Sequence, residues 1–137
     1  MNGNNFYKKN RHSCFNLQYH LIMTTKYRKP AINDAVFETI RAAIEKIFAG
    51  NGCEIVVLNH DYDHIHMLFT ALPQTNLANM INNLKTVTSR LVRRDHPAWL
   101  SQFYWKPYFW SRSYFICTVG DVTTAIVESY IQNQRGE

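Results

Sequence analysis

The chain of 137 residues carries 15 Lys plus Arg against 10 Asp plus Glu, a formal charge of +5, and is 46% hydrophobic and 14% aromatic. That length suits one domain spanning 1–137, and the apolar fraction excludes a disordered tail or low-complexity linker, which cannot bury enough surface to offset chain entropy. No run approaches the roughly 20 apolar residues of a membrane span, the segment from Met1 to Phe6 lacks a signal-peptide core, and the three scattered cysteines (Cys14, Cys53, Cys117) show no C-x-x-C spacing, so the expectation is a cytoplasmic protein with reduced thiols and no membrane partner.

Residues 1–11, ending Lys8-Lys9-Asn10-Arg11, are polar and basic and read as a flexible or short edge segment. From Ser13 to Thr24, Phe15, Leu17, Tyr19, Leu21 and Met23 alternate with Cys14, Asn16, Gln18, His20 and Ile22, the period of a strand. A basic loop, Lys26-Tyr27-Arg28-Lys29-Pro30, leads to Asn33-Asp34, which can cap a helix with apolar positions Val36, Phe37, Ile40, Ala43, Ile44, Ile47 and Phe48, ended by Gly50-Asn51-Gly52. Ile55–Leu58 and His64–Ala71 read as a hairpin of strands around the turn Asp61-Tyr62-Asp63. A second helix opens at Thr75-Asn76, carries Leu77, Met80, Ile81, Leu84, Val87, Leu91 and Val92 on one stripe, and stops at His96-Pro97. The aromatic stretch from Trp99 to Ser113 reads as irregular, Tyr114–Val119 as the last strand, and Val122–Gln134 as a final helix with Asp121 at its N-cap. The order βαββαβ followed by a helix predicts an α+β, ferredoxin-like split βαβ fold: an antiparallel sheet with its helices on one face, plus a C-terminal helix.

Two groups of residues carry chemistry. On a strand, His64 and His66 project from the same face, where both imidazoles can reach one metal ion or simply form a polar surface, while Ile65, Met67 and Phe69 supply a core face. On the last helix, Tyr130 and Gln134 stand one turn apart on one face; a packing tyrosine beside a solvated glutamine is the ordinary reading of that spacing. Taken together, two histidines and a glutamine carbonyl would make a neutral metal site beside a phenol able to act as nucleophile, leaving the full charge of the metal for a phosphate. A third pattern interleaves cations with aromatics: Lys26, Tyr27, Arg28, Lys29; Lys85, Arg90, Arg93, Arg94; and Trp105, Lys106, Tyr108, Trp110, Arg112, Tyr114. Cations hold phosphates and flat rings stack on unpaired bases, so the mixture suits single-stranded nucleic acid, although most such rings serve the core.

Asp63-His64-Ile65-His66, Tyr130 with Gln134, Tyr19-His20-Leu21-Ile22 before Lys26-Tyr27-Arg28, Leu84-Lys85 with Ser89-Arg90, and Phe115-Ile116-Cys117-Thr118-Val119-Gly120 together resemble the single-tyrosine HUH transposases of the small single-strand insertion sequences, the IS200-like transposase family. The resemblance spans most of the chain. It implies a DNA transposase that cleaves and rejoins single-stranded DNA at hairpin-marked element ends through a 5′-phosphotyrosine. It further implies His64, His66 and Gln134 as ligands of Mg²⁺ or Mn²⁺, Tyr130 as nucleophile, and a homodimer whose tyrosine helix can complete the partner's site in trans. Lys26, Arg28, Lys29, Lys85, Arg90 and Arg112 are candidate DNA contacts, and Asp63 a candidate to orient a histidine from behind. Two other classes stay open at this point: a hairpin-binding module with a structural tyrosine, and a metal-dependent hydrolase using water.

Overall fold

A computed structural model describes residues 8–9, 14–119 and 124–133. In chain order its elements are β1 (Lys8–Lys9), β2 (Cys14–Phe15), β3 (Leu17–Thr25), a single 3₁₀ turn (Lys26–Arg28), α1 (Asp34–Gly50), β4 (Ile55–His60), β5 (His64–Ala71), α2 (Leu77–Asp95), α3 (Pro97–Leu100), β6 (Trp110–Thr118) and α4 (Thr124–Asn133). The main sheet runs β4-β5-β3-β6, antiparallel at every step. Chain order and sheet order together are those of the split βαβ arrangement, so the α+β ferredoxin-like expectation holds.

Local chemistry explains where the helices begin and which sides they bury. The Asn33 side chain accepts from the backbone N–H of Val36 to cap α1, and Asn76 does the same for Asn79 at α2. The stripes Val36, Ile40, Ile44, Phe48 of α1 and Met80, Ile81, Leu84, Val92 of α2 are buried. They close over the sheet face made by Leu21, Met23, Ile65, Met67 and Phe69. Phe69 is fully buried, with the Phe48 ring edge-on at 4.9 Å and the Tyr19 ring stacked at 5.8 Å.

Three elements differ from the sequence expectation. The 13–24 alternation does not yield one strand: Lys8 and Lys9 pair with Phe15 and Cys14, and β3 begins after Asn16. The rest of the 1–11 segment lies outside the described residues. The last strand starts at Trp110 rather than Tyr114, because a bulge between Met23 and Thr25 lets Thr25 pair with Trp110. Trp110 is fixed there by its indole N–H, which donates to Thr88 Oγ1 at 2.8 Å. Within the stretch read as irregular, Pro97 opens the one-turn α3, a position where its missing N–H costs nothing. The Asp121 cap expected for the last helix lies outside the described residues.

Phe69→Ala is expected to cost about 3–5 kcal/mol in urea unfolding, because a fully enclosed ring leaves a cavity its neighbours cannot fill. Val56→Thr, on the exposed side of β4, is expected to stay within about 0.5 kcal/mol of the parent.

Candidate active site

The face of the sheet turned away from α1 and α2 carries the sequence-predicted chemistry. Strand register aligns Asn59, His66, Ile22 and Phe115 in one row across β4, β5, β3 and β6, with Leu68, His20 and Cys117 in the next row and His64 opposite Thr24. Direct partners in an antiparallel pair share a face, so the two histidines, His20, Ile22 and Phe115 form one surface.

His64 is held from behind. Its Nδ1 lies 2.9 Å from Asp63 Oδ1, and Arg28 donates to Asp63 Oδ2 through Nε at 2.9 Å and Nη2 at 2.7 Å. Burial alone would raise the Asp63 pKa, but the hydrogen bonds from His64 and Arg28 outweigh it and hold the carboxyl below its usual range. An ionised carboxylate only accepts, so His64 Nδ1 carries the proton of this bond and Nε2 is the nitrogen turned away from Asp63. The role expected for Asp63, orienting a histidine from behind, has its geometry here.

His66 is held differently. Its Nε2 lies 3.0 Å from His20 Nδ1, with the two rings stacked at 5.2 Å and nearly parallel. Burial, followed by repulsion from His20 and His64, pushes the His66 pKa below its usual value, so the ring is neutral at neutral pH. Two imidazoles on one face, one of them oriented by Asp63, fit a divalent cation, and the His20 contact is the one that an ion on His66 Nε2 would replace. Among the described residues no group of three His, Cys, Asp or Glu side chains stands ready to hold a metal. The predicted third ligand, Gln134, lies outside the described residues.

Tyr130 falls on the same surface. Its ring packs against Phe115 at a centroid distance of 4.9 Å and its hydroxyl oxygen is buried. Phe115 and His66 stand in the same row two strands apart, about 10 Å at the usual strand spacing. Arg28 Nη1 also donates to the backbone carbonyl of Ile131, the residue after Tyr130.

The candidate DNA contacts separate. Lys26 Nζ sits 5.1 Å from the centres of both the Tyr27 and Tyr108 rings. Tyr108 joins Lys85, Ser89, Arg93, Trp110 and Arg112 in lining an open cleft of about 360 Å³ between α2 and the start of β6. Lys85 Nζ donates to the Arg112 carbonyl at 2.7 Å, and burial lowers its pKa. Arg90 and Lys29 are exposed and do not line the cleft. Arg28 is turned away from that group, into the Asp63 pair. Sequence reasoning missed His20 as a neighbour of His66; the signal was its place among the polar alternating positions of β3, and the strand pairing that brings it to His66 is a tertiary fact.

A profile of the family described as "Transposase IS200 like" matches residues 13–134. The chain belongs to the IS200-like transposase family. It is similar to the ISDra2 transposase TnpA of Deinococcus radiodurans, with 32% identity over 93% of this chain and 91% of that protein. It is similar also to the transposase for insertion sequence element IS200 of Salmonella typhimurium, with 28% identity over 92% of this chain and 82% of that protein. Among solved structures, a transposase candidate from Deinococcus radiodurans R1 superposes with a TM-score of 0.84 at 34% identity, covering 95% of this chain and 99% of that one. A REP-associated tyrosine transposase bound to a REP hairpin shares the fold, with a TM-score of 0.58 at 11% identity, covering 91% and 66%. As an IS200-like transposase, the chain is an enzyme of DNA transposition, and none of the helices among its described residues is long and apolar enough to cross a membrane.

The depressed Asp63 pKa has a consequence for stability. A group with a lowered folded pKa stabilises fully above its unfolded value, near 4, and loses that contribution as pH falls through the folded value. Asp63→Asn should therefore reduce the melting temperature at pH 7, and the gap from the parent should close below about pH 4 in a pH series of thermal melts.

Proposed function

We propose that this transposase cleaves and rejoins single-stranded DNA at hairpin-marked element ends, with Tyr130 as nucleophile and a divalent ion, Mg²⁺ or Mn²⁺, on His64, His66 and Gln134. The observation that carries this reading is the packing of Tyr130 on the histidine face of its own sheet, with Asp63 aiming His64. Membership of the IS200-like transposase family carries the transposition, and the chemistry of the site supports the route.

Free tyrosine has a pKa near 10, so the phenol is a weak nucleophile at neutral pH unless its target is made more electrophilic. Bound at the histidines, the ion would withdraw charge from the non-bridging oxygens of the scissile phosphate. His64 and His66 would hold it as neutral ligands, Asp63 keeping the His64 proton on Nδ1. Tyr130 Oη would attack phosphorus in line, forming the O–P bond while the bond to the 3′-oxygen breaks, and the phenolic proton passes to the departing 3′-oxygen. One phosphoester replaces another, so a second 3′-hydroxyl can reverse the step and join new strands without a nucleotide cofactor. The docking of α4 on its own sheet makes action within one subunit a geometrically available route; a homodimer that exchanges the helix would build the same site from two copies.

The hairpin is assigned to the cleft lined by Lys85, Arg93, Tyr108 and Arg112, with Lys26 beside it, because there cations and a flat ring converge on the surface. That a protein of the same fold is bound to a REP hairpin supports a hairpin as the ligand. Arg112→Ala should weaken hairpin binding and lower the slope of log affinity against log salt by about one.

The deciding test incubates the protein with labelled single-stranded hairpin oligonucleotides bearing the element's ends, with Mn²⁺ or Mg²⁺, and resolves products on a denaturing gel. A protein-linked band is expected that vanishes with EDTA and with Tyr130→Phe. Cleavage that survives Tyr130→Phe would instead indicate water as nucleophile, and tight binding with no cleavage a binding module.

A further inference from the structure

We infer that Arg28 is a positioning residue that couples the tyrosine helix to the histidine pair, not a contact for DNA. One guanidinium joins two segments far apart in sequence: both its Nε and Nη2 donate to Asp63 Oδ2, whose other oxygen accepts from His64, and its Nη1 donates to the Ile131 carbonyl beside Tyr130. The planar fork of arginine suits this geometry, and lysine, with a single ammonium on a flexible stem, cannot serve both ends.

The backbone around Arg28 supports the assignment independently. Tyr27 and Arg28 adopt φ of 58° and 54°, the left-handed region that side-chain-bearing residues rarely occupy. Such a turn persists only when its surroundings over-determine it. Here Lys26 N donates to the Phe109 carbonyl at 2.8 Å, Tyr104 Oη to the Lys26 carbonyl at 2.7 Å, Thr25 N to the Asp63 carbonyl at 2.9 Å and Thr25 Oγ1 to the Lys29 carbonyl at 2.7 Å. The strained turn is clamped from Asp63 in the turn before β5 and from Tyr104 and Phe109 in the segment before β6, and its product is an arginine turned back toward Asp63 and α4. A DNA-binding arginine needs none of this, since exposure suffices.

The inference rests on Tyr130 and the histidines forming one centre, and three of its four readouts do not depend on cleavage. In Arg28→Ala, hydrogen exchange of the 124–133 amides should accelerate, and the NMR signature of the His64 Nδ1–H tautomer should weaken. In Arg28→Lys, which keeps a cation for Asp63, the tautomer should persist while exchange in 124–133 still rises. Single-turnover cleavage in Arg28→Ala should fall about 10- to 100-fold, as for other residues that act from behind a ligand, with hairpin affinity and its salt slope unchanged. A drop in hairpin affinity with a shallower salt slope, and unaltered exchange in 124–133, would overturn the assignment and restore Arg28 as a phosphate contact. If the wild type forms no covalent adduct, the phosphotyrosine reading fails, while the exchange and tautomer results still decide whether Arg28 couples α4 to His64. Should Arg28→Ala fail to fold, the contrast between exchange and tautomer in Arg28→Lys carries the test.

Discussion

Everything at the site depends on the two-sidedness of β5. This strand has a neighbour on each edge, β4 and β3, and its residues alternate between Ile65, Met67 and Phe69 under the helices and His64 and His66 on the opposite face. A slip of one residue in its register would place the imidazoles in the core and three large apolar side chains on the open face, so core burial fixes the register and the register fixes the site. The energy that holds the histidines side by side is therefore the burial of their neighbours, with no dedicated contact needed between them.

Much of this was legible beforehand because it rests on local periods. The alternation of β5, the stripes of α1 and α2 and the asparagine caps are written within short windows, and the split βαβ order follows from them. Less legible was whatever depends on strand pairing. The 13–24 alternation gives no sign that the chain breaks at Asn16, and the early start of β6 at Trp110 follows from a bulge in β3 and from a bond to Thr88 on another element. At the site, His64, His66, Asp63 and Tyr130 were visible as residue types at telling spacings, and the structure brings all four to one face or its margin. Arg28 was visible only as a cation in a basic loop. Nothing local distinguishes an arginine that grips phosphate from one folded inward, since the difference lies in two left-handed backbone angles and in partners in the turn before β5 and on α4. His20 was hidden in the same way, needing the β3–β5 pairing to reach His66.

The site thus divides into two halves carried on different elements. The histidines sit on an inner strand whose opposite face is fully buried, the stiffest kind of support the fold offers. Tyr130 sits on a helix that meets this surface at the Phe115 ring and is tied at the Ile131 carbonyl to the Arg28 guanidinium. In the proposed reaction, a metal on the strand and a nucleophile on a separate helix would let the covalently held strand be carried from one junction to the next. The same division accounts for the strain at Tyr27 and Arg28: rigid β-structure and burial pay for one unfavourable turn, and that turn supplies the link between the halves.

The central claim is that the histidine pair and Tyr130 form one metal-centred site on the face opposite the helices. Titration with Mn²⁺ while recording NMR spectra of selectively labelled histidine and tyrosine tests it most directly, because paramagnetic broadening falls steeply with distance from the ion. His64, His66 and His20 are expected to broaden first and Tyr130 with them, while His96 beyond α2, on the helical side, stays sharp. Broadening that spares Tyr130, or that begins at residues on the helical face, would contradict it.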